Sequence, residues 1–168
     1  MKRSSIQMLA ALGMLTGLEI ILSRFCSISA WNLKISLSFL PIAAAAMLYG
    51  PAPAAAVAAA GDFVGAILFP IGAYFPGFTL TAALTGAVFG FLLHRRRSGG
   101  RVLAAAAVHQ LALSLLVNTL WISVLYSSPF LPLLLTRAVQ SLVMLPVQVL
   151  GLTALARAMD RYGRRAAA

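Results

Sequence analysis

Apolar runs of close to twenty residues follow one another along almost the whole chain, and most of the charge is concentrated in the short stretches between and beyond them. A helix needs ~20 residues to cross the hydrocarbon of a bilayer, and only helices or closed barrels satisfy their backbone there. With 61% of 168 residues hydrophobic and 10% charged, the chain carries more apolar surface than a water-soluble core of this size can bury, so lipid is its solvent. The sequence therefore predicts an all-α integral membrane protein, a single domain of six transmembrane helices with spans at 6–23, 35–49, 52–69, 77–94, 102–126 and 131–157. Tyr49-Gly50-Pro51-Ala52-Pro53 breaks a run too long for one span. The second span is short and draws on residues before Ile35, and Pro146 predicts a kink in the last.

The formal net charge of +10 raises the question of nucleic acid. Its distribution answers no, because the basic residues cluster as Lys2-Arg3, as Arg95-Arg96-Arg97 with Arg101, and as Arg157, Arg161, Arg164 and Arg165. Such clusters beside apolar runs are topology signals and contacts for anionic lipid, and no nucleic-acid-binding fold accompanies them. They place the N- and C-termini in the cytoplasm, in agreement with an even number of spans. The run from Ile6 to Leu22 is longer than a signal-peptide core and reads as a retained first span. The single cysteine, Cys26, forms no intramolecular disulfide.

Four ionisable residues sit in or at the edge of spans without serving as topology signals: Glu19, Arg24, Asp62 and Arg137. A charge in hydrocarbon costs at least ~2.5 kcal/mol, so it faces a cavity or a partner. Asn118 and Trp121 lie in the outer half of the fifth span and Gln140 at a similar depth in the sixth. A channel spreads polar groups along the whole depth of the membrane. These groups all fall in the outer half, which describes a pocket open to one side. The inner halves are plain, with Thr85, His109, Gln110 and Gln148 as exceptions, and His109 reads as a packing residue.

Arginine suits bidentate recognition of a carboxylate, and a buried aspartate accepts paired N–H donors from an amino-substituted heterocycle. Tyr74, Phe75, Phe78 and Trp121 offer stacking surface. A second use fits the same charges: Arg24 snorkelling to the headgroups, and Asp62, Arg137 and Glu19 paired as internal glue. Tyr126 reads as part of the interfacial aromatic belt. In the stretch DFVGAILFPIGAYFPGFTLTA, from Asp62 to Ala82, two Phe-Pro pairs bracket Gly72 and Tyr74. It reads either as an aromatic flap over the pocket mouth, with Tyr74 and Phe75 toward the ligand, or as a tight turn resting in the interface. Gly13-x-x-x-Gly17 gives the first helix a small-residue face, for packing within the chain or for docking on another membrane subunit.

The sequence holds no G-x-x-x-x-G-K-[ST] phosphate loop. It has no Cys/His set at zinc spacing and no nucleophile–base pattern, so a binding subunit rather than an enzyme is expected, with no metal and no cofactor of its own. Five stretches then carry a resemblance: LSRFCSI (22–28), KISLSFLPIAAAAMLYGP (34–51), GDFVGAILFPIGAYFPGFTLTAALTGAVFGFLL (61–93), NTLW (118–121) and LTRAVQSLVMLPVQ (135–148). In these the chain resembles the folate-specific substrate-binding S components of energy-coupling factor (ECF) vitamin transporters. The resemblance implies a six-helix fold in the cell membrane and folate capture from the outer face. It also implies docking on a transmembrane coupling subunit that carries two ATPases, where ATP is used, and toppling of the S component in the membrane to deliver its ligand.

The family's Ala-x-x-x-Ala docking motif falls on Gly13 and Gly17 here, which puts docking geometry in doubt. For folate, Asp62 would take pterin N–H groups, Tyr74, Phe75 or Trp121 would stack on the rings, and Arg24 or Arg137 would meet the glutamate tail. An S component for another vitamin or pterin-like ligand, and a structural membrane subunit, are the alternative readings.

Overall fold

The computed structural model describes residues 5–30, 33–70 and 72–165. Lys2 and Arg3 lie outside the described residues, as do the side chains of Lys34, Arg164 and Arg165. The elements in chain order are α1 (Ser5–Arg24), a hairpin of β1 (Ser27–Ala30) and β2 (Leu33–Ser36), α2 (Phe39–Tyr49), α3 (Pro51–Leu68) and α4 (Pro76–Leu93). After these come α5 (Gly99–Ala107), a π-helical segment (Val108–Val117), α6 (Asn118–Tyr126) and α7 (Phe130–Arg165). The run from Gly99 to Tyr126 is one span, and with α1, α3, α4 and α7 it makes, among the described residues, five helices long and apolar enough to cross a membrane. The sixth, α2, is apolar but has only 11 residues, about 16 Å at 1.5 Å per residue.

The breakers act where the sequence places them. Gly50 turns α2 into α3 at φ 92°, a left-handed conformation natural to glycine. Pro51 and Pro76 open α3 and α4 from their first turns, where a missing N–H costs nothing. Ser127, at φ 50°, ends α6 and donates its N–H to Ser123 O. Helix α7 carries Pro146 in its interior and is helical on both sides of it.

The second span differs from expectation. Ile35 and Ser36 do not extend α2 but belong to β2, whose antiparallel register pairs Ser27 with Ser36, Ile28 with Ile35, Ser29 with Lys34 and Ala30 with Leu33. The Ser-Ile-Ser and Lys-Ile-Ser alternation suits a pleat better than a helix. Ser36 anchors the hairpin by donating its hydroxyl to Leu22 O at 3.0 Å, and it caps the turn into α2 by accepting from the Ser38 N–H at 3.1 Å.

The buried apolar core occupies the end of the bundle where the arginine clusters lie. It joins Ala43, Ala46 and Met47 of α2, Ala54 and Val57 of α3, Phe89 and Leu93 of α4, Val102 and Ala105 of α5, and Leu152 and Ala156 of α7. Two glycines set how closely α3 and α4 approach. A Cβ on Gly86 or on Gly90 would run into the backbone of Ala54 or Pro51 respectively. Small residues at such crossings let helix backbones pack directly. At the same end Arg97 donates to Asp160 at 2.8 Å and to Met47 O at 3.1 Å, tying the α4–α5 connection to α7 and to the last turn of α2. The opposite end of the bundle is hollow.

Candidate binding cavity

The hollow end holds a cavity of about 820 Å³, within the ~300–1,000 Å³ typical of small-molecule sites. Every span and the hairpin contribute to its wall. All four ionisable residues singled out from the sequence are on that wall: Glu19 and Arg24 from α1, Asp62 from α3, and Arg137 from α7.

Their placement depends on two glycines that sequence reasoning did not single out. A Cβ on Gly61 would overlap the Glu19 carboxylate, and one on Gly65 would come within 2.9 Å of Arg24 Nε. Gly61 and Gly65 are one helical turn apart, so they clear a groove along α3 in which both α1 side chains lie. The i, i+4 spacing was the signal available for finding them.

Arg24 and Asp62 form an open pair. Arg24 Nη2 stands 3.9 Å from Asp62 Oδ1 and 3.4 Å from the Asp62 backbone oxygen, with side-chain exposures of 11% and 26%. At that separation the contact is an ion pair at its outer limit rather than a hydrogen bond. Asp62 Oδ2 is held more firmly, accepting from Thr79 Oγ1 at 2.8 Å. Thr79 lies 3.3 Å from the Tyr74 hydroxyl, and Tyr74 packs edge-on against Phe63. The segment between α3 and α4 is thereby hydrogen-bonded to the carboxylate beneath it. Arg24 Nε, and on another wall Asn118 Oδ1, are buried without a hydrogen-bond partner among the described residues. Such atoms cost ~1–3 kcal/mol unless a ligand or water meets them.

Arg137 donates through Nη2 to Ser114 O at 3.2 Å, which couples α7 to the π-helical segment. That segment explains a stripe on the wall: Gln110, Ser114, Asn118, Ile122 and Tyr126 all face the cavity at a spacing of four. An α-helix, at ~3.6 residues per turn, rotates a four-residue stripe steadily off one face. The wider π-turn, closed by i→i+5 bonds, rotates it the other way, so a π segment joined to an α segment keeps the stripe on one side.

Tyr74, Phe78, Asn118 and Gln140 also line the cavity. Phe75 and Trp121, expected to stack on a ligand, are not on its wall. They pack on each other with ring centroids 5.5 Å apart, over Gly77, where a Cβ would come within 2.6 Å of both rings. The Trp121 indole N–H donates to Thr81 Oγ1 at 3.0 Å. The indole N–H needs a partner when buried, and Thr81, itself on the cavity wall, supplies it. Two further corrections concern depth. Tyr126, read as an interfacial belt residue, is on the cavity wall, and its hydroxyl would lie 3.3 Å from a Cβ on Gly72. His109, read as a packing residue, is also on the wall with Thr85 and Gln110, so the cavity reaches below the outer half. Gly13 and Gly17 are remote from it, and a Cβ at either would meet nothing within 4 Å.

A bundle of apolar helices with a polar, mixed-charge cavity at the end away from its arginine clusters defines a multi-pass membrane protein built to hold a small ligand. Residues 3–161 match the family model described as ECF-type riboflavin transporter, S component. The chain belongs to the S components of ECF-type transporters. It is 35% identical to the folate transporter FolT of Clostridium novyi over 86% of this chain and 84% of that protein. It is 30% identical to the folate transporter FolT of Leuconostoc mesenteroides over 82% of this chain and 78% of that one. A crystal structure of FolT bound with folic acid superposes with a TM-score of 0.84 at 31% identity, covering 89% of this chain and 92% of the other.

Proposed function

We propose that this S component binds folate from the outer face of the cell membrane, with both termini in the cytoplasm, and hands it inward through a transmembrane coupling subunit and two ATPase subunits. The observation that carries the ligand is the likeness to the folic-acid-bound structure, at 31% identity and a TM-score of 0.84, joined to a cavity wall with two arginines and two carboxylates. Folate carries an ionised glutamate tail that needs cations, supplied by Arg24 and Arg137. Its uncharged pterin ring offers N–H donors to Asp62 and aromatic faces to Tyr74 and Phe78. ATP is used by the partner subunits, and the chain itself works as a binding module without a cofactor. Gly13 and Gly17, open on α1, form the face offered to the coupling subunit.

The description of the matched family model raises riboflavin as a second ligand. The likeness to the folic-acid-bound structure favours folate, and the two guanidinium groups on the cavity wall suit its ionised glutamate tail, where the uncharged sugar-alcohol tail of a flavin brings no anion. Mass spectrometry of ligand released from protein purified out of its own cells tests the reading. Folate in the released material is the expected result, and riboflavin in its place contradicts it.

A further inference from the structure

The stripe that one span lays along the cavity runs from Gln110 and Ser114 in the π-helical segment to Asn118, Ile122 and Tyr126 in α6. In an unbroken α-helix a stripe at this spacing drifts by ~40° at each step, or ~160° from Gln110 to Tyr126, which carries its ends toward opposite faces. The π segment acts as one inserted residue and turns the outer half back by ~100°. The ~60° that remains fits one wall.

The insertion has to be held, because it forgoes bonds that a regular helix makes. Its last i→i−5 bond runs from the Asn118 N–H to Leu113 O. Closure then returns to i→i−4 in α6, and the step passes over one carbonyl, that of Ser114. The side chain of Thr119 marks the same place. Thr16, Thr81, Thr85 and Thr153 each donate to the carbonyl four residues back, at 2.7 to 2.9 Å. The Thr119 hydroxyl is fully buried and makes no such bond, nor any other among the described residues. A plain α-helix would give Ser114 O a donor and the Thr119 hydroxyl a carbonyl, so it competes with the observed form.

Arg137 supplies what the observed form lacks. From α7, 8% exposed, it donates through Nη2 to Ser114 O at 3.2 Å. A guanidinium stays charged, and its hydrogen bonds are stronger than those between neutral groups. With five N–H donors it can hold Ser114 O and still offer others to an anionic ligand. We propose that Arg137 is a positioning residue of the cavity, fixing through Ser114 O the one-residue insertion that keeps Asn118, Ile122 and Tyr126 on the wall. This role rests on taking the cavity as the ligand site of the folate reading, and deepens it. Without the donor the span closes as α-helix and its outer half turns by ~100°. Val117, Trp121 and Leu125 then take the places of Asn118, Ile122 and Tyr126.

The experiment uses the full-length protein in nanodiscs without ligand, with Cys26→Ser so that one introduced thiol reports each position. Ile122→Cys and Leu125→Cys are treated separately with a small water-soluble methanethiosulfonate, in the otherwise wild-type chain and with Arg137→Met. In the otherwise wild-type chain Ile122→Cys reacts faster than Leu125→Cys, and the reverse order overturns the proposal. With Arg137→Met the ratio of the two rates falls at least about tenfold, the least that loss of a hydrogen bond from a charged group shifts a two-state equilibrium. An arginine that only meets ligand leaves the ratio unchanged. Trp121, bonded to Thr81 and packed on Phe75, resists the turn, so an unchanged ratio assigns the register to those contacts and overturns the proposal. Deletion of Leu116, 51% exposed, removes the inserted residue itself. Combined with Arg137→Met it is expected to fold as a plain helix and restore the wild-type order, even where Arg137→Met alone does not fold. Failure to restore that order overturns the proposal as well. Because labelling is done without ligand, failure of the protein to bind folic acid defeats the ligand reading and is told apart from failure of this one.

Discussion

Asp62→Ala tests the centre of the cavity. The carboxylate holds three things at once: Arg24, with Nη2 at 3.9 Å from Oδ1; the Thr79 hydroxyl at 2.8 Å; and through Thr79 the Tyr74 hydroxyl at 3.3 Å. Removing one partner of a fully buried pair costs ~3–5 kcal/mol. Here the pair is wide and Asp62 is 26% exposed, so the loss of fold stability falls below that range. The binding loss is the larger signal, because the substitution also deletes the acceptor for ring N–H donors. One charge-assisted hydrogen bond contributes ~1.5–3 kcal/mol, which raises Kd for folic acid about tenfold to a hundredfold at ~1.4 kcal/mol per decade. Asp62→Asn keeps one acceptor oxygen and loses the charge, so it falls between wild type and alanine. Isothermal titration calorimetry on monodisperse protein reads both values. A Kd for Asp62→Ala within twofold of wild type, or asparagine weaker than alanine, refutes the reasoning.

Three further outcomes follow. Trp121→Phe removes the bond to Thr81 and lowers thermal stability by about 1 kcal/mol, but changes folic acid affinity less than threefold, because Trp121 stands behind the wall; calorimetry and a melting curve separate the two effects. Gly86→Ala places a methyl group against the Ala54 backbone, which cannot yield as a side chain would, and destabilises by ~1–3 kcal/mol or more, read as a fall in melting temperature. Gly17→Leu adds bulk where a Cβ meets nothing within 4 Å, so it leaves ligand affinity of the isolated subunit unchanged while abolishing copurification with the coupling subunit.

Much of the molecule was legible in the sequence because lipid imposes so few solutions. Run length and breakers such as Gly50-Pro51 mark where helices end, and the cost of charge in hydrocarbon brings Glu19, Arg24, Asp62 and Arg137 to one cavity. What escaped depends on tertiary contact. Ile35 sits in an apolar context that a helix could use, and only pairing with Ile28 makes it a strand residue. The π segment has no composition of its own; it is a choice of hydrogen-bond partner along a helix, coupled to Arg137 through Ser114 O. Phe75 and Trp121 have the right chemistry and depth for stacking on a ligand, yet their rings satisfy each other over Gly77. His109 read as packing because its partner Gln148 is 39 residues away in sequence, beyond the reach of any local pattern.

The most direct test of the central claim is a calorimetric titration of the ligand-free, purified protein with folic acid and, separately, with riboflavin. Tight one-to-one binding of folic acid, with riboflavin at least about a hundredfold weaker, is the predicted result. Tight binding of riboflavin with no measurable heat from folic acid would contradict it.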